Sequence, residues 1–408
     1  MAQDFVGSNN ISRLLPIGQF GTRYLGGKDP GEAFIINTRL SPITRTLFPK
    51  EDNLLLDGQS IETTGYIPII RMVLVNGSRV TRARLRSKIP NYNPWDIVSN
   101  VRRLLNDEPM EPWYKGFGGT IEKLVTKKAG VIYIVSGKID QVDDETLRIT
   151  ELPIGVWTRD YIKFLKSNMT GSDPFIKDYR RYGSTRTAQF EVRLSQGNML
   201  MAKQEGLLKK FNLTNVITTS DMRLLDPKGN LKKYDTPEQI LEDFYPIRLD
   251  FYAKRKESML ENLEMELLEL DNKSRCTSGV AKGDVVLNRN RADLLASLPE
   301  KRFASGETKT PEEAVSAEGY GSLPMKVFSD EVFNNELVAA TDNRRAKDKL
   351  KKRLDDMKNA TPKSLWKEDP DELEILLLKY VPEGVKPREG PKEGSDRGSS
   401  SSMPATIK

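Results

Sequence analysis

Apolar side chains recur at helical spacing through the second half of the chain. Thr236 is placed to cap a helix that starts at Pro237, and Gln239 completes a capping box. Pro246 lies inside the run, removes one backbone hydrogen bond and predicts a kink or a break. The pattern predicts a long helix whose apolar face comprises Ile240, Phe244, Ile247, Phe251, Leu260, Leu263, Leu267 and Leu270.

A second helical pattern covers residues 332–380 and is interrupted by Pro362. Its two apolar stripes consist of Leu350, Leu354 and Met357, then Leu373, Leu376, Leu377 and Tyr380. Such stripes pack either on each other or on a second subunit. We predict a homodimer with an isologous contact near residues 350–380.

The first hundred residues combine short elements. Tyr66–Val75 is a β-branched and apolar run that predicts a buried strand, ending at the turn signal Asn76-Gly77. Asn93 and Pro94 predict the start of a helix with one apolar face, formed by Ile97, Val98, Val101, Leu104 and Leu105.

Residues 117–220 change in character to short strand-like runs between turn signals. Strands are predicted at Val131–Val135, Leu147–Leu152, Phe190–Leu194 and Asn215–Thr219, and a helix at Asn198–Phe211. This part of the chain is therefore an α+β insert. Residues 305–321 and 381–408 are polar or rich in Gly, Pro and Ser, and we predict that both are disordered.

Composition excludes several classes of chemistry. The chain of 408 residues has one cysteine, Cys276, and no histidine, so a Cys/His zinc site and an imidazole-dependent triad are excluded. No stretch of 18 apolar residues occurs, which argues against a membrane partner, and Met1–Asn10 does not have the pattern of a secretory signal. The net charge of +6 gives a mild preference for anionic partners.

Two cationic segments are candidates for nucleic-acid contact. Leu15–Arg39 is rich in glycine, and glycine lets a backbone approach a ligand closely. Ser78–Ser87 places four arginines within eight residues. The alternatives are a mobile glycine-rich loop and a solvated charged loop. The candidate phosphate-binding residues are Gln19, Arg23, Lys28, Arg79, Arg82, Arg84 and Arg86.

Several motifs, in this order, resemble the DNA breakage–reunion region of eukaryotic type IIA DNA topoisomerase II. They are MAQDFVGSNN (1–10), LPIGQFGTR (15–23), GGKD (26–29), YIPII (66–70), KIPNYNP (88–94), ITELPIGVWT (149–158), LKKYDT (231–236) and NATPKSLW (359–366). The resemblance covers residues 1–275 well and 333–380 more loosely.

The resemblance implies an α+β multidomain fold. It implies a partial winged-helix domain over 1–105, an α/β tower insert over 106–235, and long helices forming a coiled-coil C-gate over 236–380, before the tail at 381–408. It further implies duplex DNA as a partner, a homodimer or a heterodimer with full-length topoisomerase II, and residence in the nucleus. The family uses Mg²⁺ and ATP through regions that we expect this chain to lack, so we predict no cofactor and no metal ligand here.

The resemblance also locates the family's catalytic pair. In the family, an arginine and the nucleophilic tyrosine follow GGKD, and an ungapped count to Thr38-Arg39-Leu40 places Phe34 at the arginine and Ile35 at the tyrosine. A similar count places Thr81 where the family has an isoleucine that wedges between base pairs. We therefore expect a degenerate or truncated copy that binds DNA without cleaving it. The alternatives are a non-catalytic dimerisation partner of a full-length topoisomerase and a truncated, non-functional product.

Overall fold

The computed structural model describes residues 1–55, 66–82, 85–103, 109–126, 130–171, 174–226, 228–281 and 336–380. Helices and antiparallel strands alternate irregularly along the chain, so the mixed α and β composition is as predicted. The predicted disorder at 305–321 and 381–408 lies outside the described residues, and so does Arg84.

The N-terminal part begins with a two-stranded ribbon that closes the glycine-rich stretch. Strand β1 (Leu14–Ile17) pairs antiparallel with β2 (Asn37–Leu40). Helix α1 (Pro42–Leu47) and a 3-10 helix (Lys50–Leu55) follow. The ribbon therefore brings the two ends of residues 18–36 together, and this segment forms a closed loop.

The predicted strand at Tyr66–Val75 is wrong, because the structure has helix α2 (Met72–Asn76) at its end. Pro68 has no N–H for a sheet ladder, and Ile69 N instead donates to Leu47 O at 2.9 Å. The apolar side chains are buried as predicted, with Ile69, Ile70, Leu74 and Val75 at 0% exposure. Tertiary packing on α1 therefore overrides the β propensity of the run.

A hairpin and a capped helix complete this part. Strands β3 (Ser78–Arg82) and β4 (Leu85–Ile89) pair antiparallel, so Ser78–Ser87 is not the solvated loop of our alternative hypothesis. Helix α3 (Pro94–Arg102) starts as predicted, because the Asn93 side chain accepts a hydrogen bond from Trp95 N at 3.0 Å.

The described residues of the insert form two antiparallel sheets and three helices. In chain order, the elements are β5 (Thr120–Thr126), β6 (Gly130–Ser136), β7 (Lys138–Gln141), β8 (Thr146–Glu151), α4 (Thr158–Ser167), β9 (Asp178–Tyr182), β10 (Gln189–Arg193), α5 (Gln196–Glu205), α6 (Leu207–Lys210) and β11 (Thr214–Thr218).

One sheet of the insert has the strand order β11-β6-β5 and the other β7-β8-β10-β9. The strands predicted for this part of the chain are all present. The predicted helix at 198–211 is divided at Gly206, whose φ is 89°.

The ribbon β12 (Met222–Leu225) and β13 (Leu231–Tyr234) leads into helix α7 (Pro237–Ala281). At its start, Thr236 Oγ1 accepts from Gln239 N, and Gln239 Oε1 accepts from Asp235 N. The predicted break at Pro246 does not occur, since α7 runs through it. Helices α8 (Glu336–Asn359) and α9 (Pro362–Tyr380) follow, separated at Pro362 as predicted.

The predicted apolar stripes pack on each other within one chain. Leu263 of α7 forms a buried cluster with Leu350 and Leu354 of α8. Ion pairs join Asp271 to Lys347 and Glu264 to Lys358, so the two helices run antiparallel. Leu350 and Leu354 are therefore not free to form the predicted contact between subunits.

The largest core joins distant parts of the sequence. It combines Ile69 and Val98 from the N-terminal part with Ile240 of α7 and Leu373 and Leu377 of α9. A separate core inside the insert contains Leu147, Phe190 and Phe211, among others. The division at residues 105 and 235 remains a prediction. Within the described residues, no helix combines the length and the apolarity needed to cross a membrane.

Candidate nucleic-acid interface

The β3–β4 hairpin presents three cations on one face. Its register places Arg79 opposite Lys88 and Thr81 opposite Arg86. Side chains of opposed residues lie on the same side of an antiparallel pair, and so do residues two apart on one strand. Arg79, Thr81, Arg86 and Lys88 therefore form one surface, which we call the cationic face. Like charges directly opposite each other destabilise a strand pair.

Acidic side chains compensate this charge only weakly. Among the ion pairs of the described residues, Arg79 and Lys88 have none, and Arg86 reaches only Asp221, with 3.8 Å between Nε and Oδ2. Burial first, and then repulsion from Arg79 and Arg86, lowers the pKa of the Lys88 ammonium. The positive charge of the cationic face thus remains available to an anion.

The cationic face borders a surface groove of about 450 Å³. Arg79 and Lys88 line one wall, residues 7–9 line another, and Gly155 and Trp157 of the insert form the far side. The groove therefore lies between the N-terminal part and the insert. An elongated anion that crossed this boundary would meet the cationic face.

Three buried or half-buried asparagines fix the residues around this groove. Asn91 Nδ2 donates to Ser8 O at 2.7 Å, and Asn10 Nδ2 donates to Tyr92 O at 3.0 Å and to Trp113 O at 3.1 Å. Asn76 exchanges two hydrogen bonds of 2.9 Å with the backbone of Ile11. These hydrogen bonds tie residues 8–11 to Trp113 and to the residues that flank the hairpin on both sides.

Glycines of Leu15–Arg39 allow close packing within the chain. A Cβ at Gly26 would lie 2.3 Å from the Trp157 indole, and one at Gly21 would lie 2.6 Å from Gly27 Cα. Both glycines also have positive φ, of 63° and 110°. The absence of a side chain lets this loop lie against the insert and against itself.

Arg23 requires a correction, because its position does not suit contact with a phosphate. The residue is 3% exposed, and its guanidinium donates to Glu151 Oε1 and to Leu152 O, the latter at 3.0 Å. Glu151, at 7% exposure, also accepts from Gly118 N and Leu152 N. A desolvated cation needs such a partner, so Arg23 joins the glycine-rich loop to the insert.

The other candidates of the glycine-rich loop are exposed. Lys28 points to solvent, and Gln19 Nε2 donates to Asp29 O at 2.5 Å. Phe34 and Ile35, at the positions implied for the family's arginine and tyrosine, are 82% and 60% exposed. Their side chains offer neither a donor nor a nucleophile.

The remaining candidates divide by position. Thr81 is exposed on the cationic face, and Arg86 lies opposite it. Arg82 lies at the end of β3, but its side chain is outside the described residues, as is the whole of Arg84. Lys88 was not among the predicted phosphate-binding residues. The spacing of two residues between Arg86 and Lys88 could have indicated that both lie on one face of a strand.

The described residues contain no cluster of three or more acidic, cysteine or histidine side chains suited to a metal ion. The residues at hand thus do not fit the Mg²⁺ that the resemblance implies for the family, and we derive no chemical step through it.

Comparison with known proteins agrees with the sequence resemblance. A family model that describes the A subunit of DNA gyrase/topoisomerase IV matches residues 1–371. DNA topoisomerase 2 of Arabidopsis thaliana is 46% identical over 418 residues, which cover 93% of this chain and 28% of the relative. DNA topoisomerase 2-alpha of Cricetulus griseus is 37% identical over 414 residues, covering 93% and 27%. The chain thus spans little more than a quarter of these relatives.

A solved structure extends the similarity to the fold. The crystal structure of the Plasmodium falciparum topoisomerase II DNA-binding, cleavage and re-ligation domain matches with a TM-score of 0.82 at 33% identity. The match covers 92% of this chain and 54% of that chain. The chain therefore belongs to the family of DNA gyrase/topoisomerase IV A subunits, and it corresponds to the breakage–reunion region of type IIA topoisomerase II.

Proposed function

We propose that this chain holds duplex DNA as a breakage–reunion region of the topoisomerase II family but does not cleave it. The observation that carries the proposal is the cationic face, where three cations have almost no acidic compensation and two of them, Arg79 and Lys88, line a groove. A DNA backbone supplies regularly spaced negative charge, and a groove between two parts of the chain suits an elongated ligand.

The absence of cleavage follows from the chemistry of two side chains. The resemblance implies that the family forms a phosphotyrosine link, for which an oxygen nucleophile must attack phosphorus. Ile35 has no lone pair, and Phe34 has no charge to stabilise the developing negative charge. Thr81 at the implied wedge position carries a hydroxyl, and apolar side chains are the usual wedges between base steps.

A salt titration of DNA binding tests the first half of the proposal. We expect log K to fall linearly with log salt between about 50 and 200 mM, with a slope near −0.9 per phosphate contacted. The double variant Arg79→Gln/Arg86→Gln should lower both the affinity and the slope. Its matched control is Arg45→Gln/Arg353→Gln, which removes two exposed charges from α1 and α8. An affinity independent of salt would contradict the proposal.

A denaturing gel tests the second half. Purified protein incubated with Mg²⁺, ATP and supercoiled plasmid should give neither relaxation nor a covalent protein–DNA band. The double variant Phe34→Arg/Ile35→Tyr, mixed with a full-length relative, provides the comparison for trace cleavage. A covalent band from the unmodified chain alone would refute the claim that it does not cleave.

We propose self-association as a second property, with the full-length relative as the alternative partner. Ile375 and Leu378 lie one helical turn apart on α9 and are 68% and 67% exposed. Sedimentation should show a dimer that Ile375→Ser/Leu378→Ser weakens. A monomer at high concentration would reject the contact. Residence in the nucleus belongs to the same proposal, because it rests on the family alone.

A further inference from the structure

Lys88 is less exposed than the two arginines beside it, and a hydrogen bond holds its backbone in place. Its side chain is half-buried in the groove wall, whereas Arg79 and Arg86 are exposed. Lys88 N donates to Asp221 O at 3.0 Å, and Ser87 Oγ donates to Arg223 O at 2.7 Å. Strand β4 is therefore held on the far side by β12, and the start of the lysine side chain has a defined position.

The Lys88 ammonium has no acidic partner among the described residues. Arg79 lies directly opposite Lys88, Arg86 lies two residues before it, and no ion pair of the described residues involves Lys88. Partial burial of an ammonium that has no acidic partner costs free energy, and two like charges nearby increase the cost. The lowered pKa of Lys88 has the same two causes. The arrangement becomes favourable when an anion enters the groove.

We propose that Lys88 is the inner phosphate anchor of the groove, with Arg79 and Arg86, on the same face of the hairpin, contacting neighbouring phosphates. The proposal rests on the proposed DNA-binding function and assigns its central contact to a residue outside the arginine cluster. It has a second consequence. Because a bound phosphate relieves the repulsion on the cationic face, duplex DNA should stabilise the folded chain by mass action.

The test compares Lys88→Gln with Lys203→Gln, which removes one exposed charge from α5 of the insert. For Lys88→Gln we expect roughly tenfold weaker binding of a short duplex, the loss of one charge-assisted hydrogen bond. The salt slope should fall by about 0.9. Lys203→Gln should match the unmodified chain in both, and Lys88→Arg should retain the slope.

Thermal unfolding separates anchoring from a structural role. Without DNA, Lys88→Gln should melt at or above the temperature of the unmodified chain, and added duplex should raise it less. If Lys88→Gln and the stem-preserving Lys88→Met both melt well below Lys203→Gln, then the lysine serves the fold and the proposal is overturned.

The two proposals fail in different ways. If the unmodified chain binds duplex with the expected salt dependence while Lys88→Gln behaves like Lys203→Gln, the anchor is refuted and DNA binding stands. If the unmodified chain shows no salt-dependent binding, the proposed function itself is refuted.

Discussion

The glycine-rich loop and the β3–β4 hairpin both carry candidate cations for nucleic-acid contact but use them in opposite ways. Arg23 of the loop is buried against Glu151, which also accepts two backbone N–H groups. Arg79 of the hairpin is exposed, and a lysine lies opposite it. A cation in the first setting holds two parts of the fold together, whereas in the second it destabilises its own strand pair. Pairing and burial, rather than the number of arginines, decide which segment can bind an external anion.

The largest expected effect lies in the loop. Changing Arg23→Met should destabilise the chain by roughly 3–5 kcal/mol, because it leaves the buried Glu151 carboxylate without its cation. Urea unfolding measures the change as a lower midpoint with an unaltered slope. At the same time, the DNA affinity of the remaining folded protein should stay unchanged.

The matched control replaces both partners. Arg23→Met/Glu151→Gln removes the unpaired charge and keeps an amide oxygen as an acceptor for the backbone N–H groups that Glu151 serves, so part of the lost stability should return. A single variant that lost less than the double one would show that the ion pair does not link the loop to the insert.

The next effect concerns the close approach of the same loop to the insert. Gly26→Ala should cost roughly 1–3 kcal/mol beyond backbone strain, because the new methyl group would overlap the Trp157 indole. Gly229→Ala is the control, since Gly229 also has positive φ, of 82°, but has open space around its Cα. Equal midpoints in urea for the two variants would contradict the packing role of Gly26.

Local signals predicted the helix starts and the strands of the insert, because caps and alternation act within a few residues. Asn93 and Thr236 are examples, since each bonds within its own turn. At Pro246, where the sequence predicted a kink or a break, the chain stays helical. The failure at Tyr66–Val75 depended on a distant contact, since this run packs on α1 instead of joining a sheet.

The candidate site could be predicted only in part for the same reason. The sequence grouped Arg23 with Arg79, but the partner of Arg23 lies 128 residues away. Conversely, Lys88 opens the motif KIPNYNP outside the arginine cluster, and only the hairpin register places it opposite Arg79. Charge composition locates cationic segments, while the fold decides which charges remain unpaired.

The smallest expected effect has the opposite sign to that of Arg23→Met and lies in the hairpin. Arg79→Glu replaces a repulsive pair with Lys88 by an attractive one, and opposite charges across a strand pair contribute about 0.2–1 kcal/mol. The variant should therefore unfold at slightly higher urea than the unmodified chain, while its affinity for duplex DNA falls. Salt separates this cause from a change in packing, because screening should shrink the gain as ionic strength rises. The control Arg45→Glu lies on α1, outside the hairpin, and should not reproduce the gain. A loss of stability in Arg79→Glu at low salt would show that the hairpin cations do not repel each other, and the contrast between loop and hairpin would then rest on burial alone.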